Sequence, residues 1–568
     1  MRELVTVQVG EFANFVGSHF WNFQDELIGL AADPLGDAVF KNQHLNMDVL
    51  YRSGETQQGV LTYTPRLVSV GFKGGLGSVS ARGTLYNDDV DTPSDTVTWR
   101  GSVATHYTEP CKKNLFLQSL SEEEQENLVD GKNSGRGEIE DKDIIECLES
   151  DVTFWTDFSK VHYHPQSLYQ FVGSWVDAQE FDNYGIGKES FSWSLQGEDI
   201  DERLRFFVEE CDHIQGFQFI VDDSGGFSAV AGDFLESVAD EYSNTPVLLY
   251  SVRSPSSSNV LRENKKQIIS RDLHDAISFA RLSSFCQLYV PVGLPSLNRS
   301  KAATHLCIDD QKPYHCSAVY AAALHSIGLP FRMEAQGPTT DSCYVSGAVH
   351  VNDMVRMLAG QGRQNMVAIL DVAMPAPTLL EKHLGQSLLG SLQPLTPEVK
   401  EDAEDLLALE SMTAHGVFES GGDRASVSEL KDQISAAYEG ETVRPMLCHL
   451  SAAQCPLPVP LPFPSIFGNL VGQHGQLLAT PISGVSTRGS LDVYSIPMAA
   501  RLRSSNAVLP FIERRLTNLL RHGVQGSSAT PLLRSWGFGR EELEDMGESL
   551  SKMVLALNPH SLSSSDSD

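Results

Sequence analysis

The first 30 residues constrain this chain more tightly than any later stretch. Leu4-Val5-Thr6-Val7-Gln8-Val9 is a short run rich in β-branched residues, the composition of a buried strand, and Gly10 ends it. From Asn14 to Leu30 the residues Phe15, Val16, His19, Phe20, Phe23 and Leu27 recur at helical spacing. A strand, a glycine turn and a helix make the first half of a βαβ unit, which commits the chain to an α/β class. The free amides and the dipole of such a helix start can hold a phosphate.

Charge limits the partners. The chain has 568 residues, with 74 acidic against 42 basic and a net charge of −32. A phosphate-rich or anionic lipid partner requires a basic surface, so nucleic acid and direct membrane docking are excluded as the main role. No run approaches the ~18 to 20 apolar residues of a membrane span, and Glu3 and Glu11 near the start do not fit an Arg-rich, acid-poor presequence. Scattered cysteines without a C-x-x-C pair point to reduced thiols in the cytosol. His305, Cys307, His315 and Cys316 lie close in sequence, but their spacing fits no common zinc module. Metal: none is expected.

The opening also resembles a family. M-R-E-aliphatic-V, then Gln8-x-Gly10, then Asn14-x-aliphatic-Gly17-x-x-Phe20-Trp21 is similar to the start of tubulin. Pro65-Arg66 with the strand to Gly71, the segment His106-Tyr107-Thr108-Glu109, and Cys211-Asp212-His213-Ile214-Gln215-Gly216-Phe217-Gln218 resemble further tubulin segments. The whole chain is most similar to the Misato family of tubulin-related proteins. That resemblance implies a tubulin/FtsZ-like, Rossmann-type nucleotide-binding fold, with an inserted segment and a diverged α+β C-terminal region. The expected organisation is a tubulin-like segment over 1–115, an acidic flexible insertion over 116–150, a second tubulin-like segment with an aromatic-rich insertion over 151–340, and a diverged region over 341–568 ending in a disordered tail.

The same comparison marks a degenerate nucleotide site at Gly10, Glu11, Phe12, Ser224, Gly225, Gly226 and Tyr314. Tubulin's glutamines and cysteine after the glycine are replaced by Glu11, Phe12 and Phe15. Its G-G-G-T-G-S-G phosphate loop is replaced by Ser224-Gly225-Gly226-Phe227-Ser228-Ala229-Val230. Phe227 and Val230 are expected to put bulk where the ligand would sit, and Asp222 and Asp223 to put negative charge beside it. The loop at 71–74 instead loses its acids, and the loop at 92–98 loses its Gly and Asn residues. One lost contact costs about 1 to 3 kcal/mol. Tyr314 matches the base-stacking tyrosine, but the asparagine expected four residues later is Ala318. No bound cofactor and no GTPase activity are therefore expected.

Resemblance to the Misato family implies a role in mitochondrial distribution, morphology and fusion, exercised through proteins on the mitochondrial outer surface. The expected location is cytoplasmic and peripheral on the mitochondrial outer membrane. The alternatives are a GTP-binding or polymerising protein, and a factor in tubulin or chaperonin assembly. Among the other segments, Thr396–Glu410 reads as an acidic helix with leucines facing the core. Pro456, Pro458, Pro460, Pro462 and Pro464 read as an extended connector. Val508–His522 and Arg540–Leu555 read as amphipathic helices. Ser563, Ser564, Ser565 and Ser567 in the tail are phosphorylation candidates.

Overall fold

The computed structural model describes residues 2–41, 44–55, 61–80, 83, 111–128, 139–171, 181–192, 194–255, 264–334, 344–360, 365–379, 388–401, 403–441, 443–484, 486–526 and 529–558. The expectations placed on 92–98, on 106–109 and on the tail serines lie outside these residues.

A fully parallel sheet is the centre of the molecule. Its strands are β1 (Glu3–Val9), β2 (Leu67–Phe72), β3 (Leu168–Phe171), β4 (Ile214–Asp222), β5 (Val247–Val252) and β6 (Leu288–Val292). They lie side by side in the order β3-β2-β1-β4-β5-β6, every pair parallel. This is the doubly wound order, with its switch point between β1 and β4. Side-chain alternation feeds two cores. Val5, Val7 and Val9 point into one apolar layer, and Leu4 belongs to the other.

The helices cover both faces. One layer holds α1 (Glu11–Ala32), and the helices α2 (Leu115–Leu128) and α3 (Asp141–Asp151) bury Phe116 and Ile144 against it. The other layer holds α4 (Tyr184–Ser192), α5 (Ser194–Glu209), α6 (Gly226–Glu241) and α7 (Lys265–Ser284). Helix α8 (Pro313–Gly328) lies beside α1 and is buried along its whole length.

The segment expected to be a flexible insertion therefore contains two helices. Apolar Phe116, Leu117, Ile144 and Leu148 supply what the acidic runs around them concealed. Glu149 near the end of α3 pins this insertion to the core. Its carboxylate lies 2.8 Å from His315 Nε2 and accepts from the Ser465 amide at 2.7 Å. Burial opposes ionisation there, but these partners outweigh it and bring the group down to about 2.

A second, mixed sheet forms from the C-terminal region. It contains β7 (Val345–Ser346), β8 (Ile369–Ala373), β9 (Gln393–Pro394), β10 (Leu409–His415), β11 (Leu447–Ala453) and β12 (Met498–Ser504), in the order β9-β8-β12-β10-β11-β7. Strands β10 and β11 are parallel and are linked through helix α9 (Val427–Gly440), which starts with a Ser426/Glu429 capping box. The α/β class and the α+β C-terminal region stand as expected. The chain then returns to the first unit through α10 (Leu509–Asn518) and α11 (Arg540–Leu557), whose apolar faces join the core behind the parallel sheet.

One local expectation changes. Thr396–Glu410 is not a helix, because Glu398 takes a left-handed backbone at φ +60° and Thr396 is held by Pro291 and Leu370. The proline-rich run is an extended connector, anchored where Leu457–Pro458 pairs with Ser495–Ile496 and where Phe463 is buried.

Candidate functional site

The carboxyl ends of β1, β4, β5 and β6 meet at a cavity of about 650 Å³, at the switch point of the sheet. It is lined by Glu11 after β1, Asp222, Asp223, Ser224 and Gly225 after β4, Arg253 after β5 and Gly293 after β6.

The floor of this cavity is already occupied by the protein's own carboxylates. Asp222 accepts from the Phe12 amide at 3.0 Å and from the Ala13 amide at 2.7 Å. These are free amides of the first turn of α1, the groups that would otherwise receive an anion. Burial drives the Asp222 carboxyl well above its usual range, the two amides oppose that, and nearby Glu11 and Asp223 reinforce it. Glu11 spans the other side, accepting from the Phe72 amide at 3.0 Å. The acids missing from the loop at 71–74 are thus replaced from the helix, and Lys73 in that loop is exposed.

Helix α1 is held so that this geometry follows. Asn14 Nδ2 donates to the Val70 carbonyl and Asn14 Oδ1 accepts from Ser69 Oγ, joining the helix to β2. Gly17 passes so close to Gln8 that any Cβ would overlap that side chain. Trp21 is fully buried against Phe20 and Tyr51. These framework residues explain the legibility of the opening stretch without any ligand.

The expected phosphate loop is filled by aromatic packing. Phe227 lies 4.6 Å from Phe72 and 5.1 Å from Phe181, ring centre to ring centre. The Gly226 amide, at the start of α6, donates to the Phe181 carbonyl at 2.7 Å. Val230, expected to crowd the ligand, instead faces the core between α6 and the sheet. Tyr314 is a second correction. It is buried, donates from its hydroxyl to the Pro462 carbonyl at 2.6 Å, packs on His19 and Phe158, and does not line the cavity. Of the residues singled out in sequence, the cavity gathers Glu11, Asp222, Asp223, Ser224, Gly225 and Phe227. Gly10 lies beneath Asp222, and Phe12 and Gly226 contribute backbone amides that are already satisfied.

The upper walls were not legible. Arg253 donates to Asp223 at 2.7 Å and to Asp275 at 2.9 Å. Glu398 receives Arg514 at 3.0 Å and Arg515 at 3.3 Å, both from α10. Trp536 also lines the space. These cations would be the obvious phosphate ligands, but each is committed to a carboxylate. Their signal in sequence is only a charge, because their partners lie up to 117 positions away. His305, Cys307, His315 and Cys316 do not assemble: His315 faces Glu149, Cys316 is buried and Cys307 is exposed. Among the described residues no three potential ligands are grouped for a metal, and no helix is long and apolar enough to cross a membrane.

The Glu11 carboxyl gives a pH test. Burial pushes it up to about 7 from an ordinary value of 4.5, against the Phe72 amide. The folded protein therefore holds a proton that the unfolded chain has released between these values. This contribution is complete below about pH 4.5 and is lost as pH rises through about 7. Buried His19 works in the opposite sense, so the readout is a difference. Glu11→Gln should gain about 3 kcal/mol over the unsubstituted protein by pH 8 and nothing below about pH 4. Denaturant midpoints that shift in parallel across this range would refute the assignment.

Comparison with known proteins agrees with this architecture. A Misato Segment II tubulin-like domain matches residues 2–122, and a Tubulin domain matches residues 146–333. Protein misato homolog 1 of Bos taurus is 30% identical, over 89% of this chain and 90% of the relative. The Mus musculus protein of the same name is 29% identical over 97% of each chain. Protein DML1 of Gibberella zeae is 29% identical over 59% of this chain and 61% of its own length.

Proposed function

Because the chain belongs to the misato family of tubulin-related proteins, we propose that it is a non-catalytic tubulin-like scaffold that acts through protein contacts in mitochondrial distribution, morphology and fusion. One observation carries the non-catalytic part. The Asp222 carboxylate takes the two helix-start amides that a phosphate would need. A nucleotide phosphate would have to displace that carboxyl from both amides before it could use them. The mitochondrial part draws on family resemblance, with the protein peripheral on the cytosolic side of the outer membrane.

The decisive experiment is titration of the purified full chain with fluorescent GTP and Mg²⁺. No saturable binding in the micromolar range is expected. Saturable binding with turnover would overturn the scaffold reading, and filaments under those conditions would favour the polymerising alternative, which draws on the retained strand order and cavity. For location, protease treatment of intact mitochondria should remove the protein and carbonate should extract it. Protection from protease would contradict the outer-surface assignment.

A further inference from the structure

The acidic stretch before β10 leads to a surface that the nucleotide-site question does not touch. Leu406 is 71% exposed, Leu407 37%, Met446 48% and Leu447 38%. Strand pairing brings their backbones to one end of the second sheet. The Met446 amide donates to the Ala408 carbonyl at 2.8 Å, and Leu409 and Leu447 face each other across the parallel β10–β11 pair. Single exposed leucines need no explanation, but apolar side chains gathered on one sheet end mark an interaction surface.

An acidic groove of about 380 Å³ adjoins this patch, lined by Glu401, Glu404, Asp405 and Glu441. Its internal charges are unequally balanced. Glu410 is engaged by Arg501 and Tyr438, and Arg503 by Asp371. Lys301 pairs with Glu401 at 2.7 Å. Glu404 and Glu441 are exposed and carry no ion pair among the described residues. The outer edge of β11 meets β7 only at Ala452 and Ala453, so Leu447 to His449 have no strand partner on that side among the described residues.

From this arrangement we infer that the β10–β11 end is a docking site for a cationic amphipathic segment of another protein. The segment would place leucine-like side chains on Leu406, Leu407, Met446 and Leu447, and Lys or Arg against Glu404 and Glu441. Charge decides among possible occupants. An anionic membrane is repelled by the acidic rim, and a second copy of a chain with net charge −32 is repelled as a whole.

The test uses the full chain and a labelled synthetic amphipathic peptide of lysine and leucine, read by fluorescence anisotropy. Glu404→Lys/Glu441→Lys and Leu406→Ser/Met446→Ser should each weaken binding about tenfold. Glu541→Lys, an exposed charge reversal on α11, should leave it unchanged. Thermal melts establish that the variants fold. Hydrogen exchange on the unsubstituted protein should show peptide protection over 403–410 and 443–450. Equal binding by all variants, equal loss with Glu541→Lys, protection confined to another surface, or no binding at all would each overturn the inference.

Discussion

Replacing Gly10 by alanine is expected to cost about 4 kcal/mol. Gly10 has φ +116°, a backbone region that side-chain-bearing residues rarely enter. Its missing Cβ is also the space taken by Asp222, and a methyl group would overlap that carboxylate. The substitution therefore strains the turn and displaces the group that caps α1. Gly74 is the control. It has φ +92° but open space around it, so Gly74→Ala should cost only the backbone term of about 1 kcal/mol. Equilibrium denaturation of both variants settles the matter. Similar midpoints for the two would mean that contact with Asp222 contributes nothing.

Asp222→Ala is expected to destabilise the protein by about 3 kcal/mol. It leaves the amides of Phe12 and Ala13 without their acceptor, at a helix start that is otherwise covered. Asp222→Asn retains one acceptor oxygen and should lose less than half as much. Because Gly10 and Asp222 act on the same turn, the double variant should be less destabilised than the two single changes together predict. Strict additivity in that cycle would show that the two residues are independent. An Asp222→Ala protein as stable as the unsubstituted one would remove the basis for reading the carboxylate as the occupant of the phosphate position.

The two results concern different kinds of legibility. Gly10, Asn14, Gly17 and Trp21 could be read in sequence because they match the tubulin opening at its own spacing, and Gly17 and Asn14 meet partners on β1 and β2 beside the helix. Asp222 was recognised as a charge that would repel phosphate, but its positive role was hidden. It is 210 residues from Phe12, and nothing in either segment states that they touch. Tyr314 shows the converse. A residue type matching the base-stacking tyrosine, beside Ala318 in place of the expected asparagine, is packed against His19 and Phe158 and bonded to the Pro462 carbonyl. The acidic insertion and Thr396–Glu410 were misread for a related reason. Composition reports average polarity, whereas burial of Ile144 and the left-handed Glu398 are single-residue events.

The sequence by itself determined the α/β class, the opening strand-glycine-helix unit, its tubulin-like ancestry and the replacement of tubulin's loop residues by Glu11, Phe12, Phe227 and Val230. Those properties reside in residue type and short-range spacing. Only the tertiary structure decided which of the chain's own groups meet at the carboxyl edge of the sheet. Asp222 reaches the start of α1, Glu11 reaches the loop at 71–74, and α10 returns with Arg514 and Arg515 to Glu398. The physical reason is that a parallel sheet gathers loop ends from distant parts of the chain at one edge. Which charges meet there is set by strand order and side-chain reach, and neither is written in any one stretch.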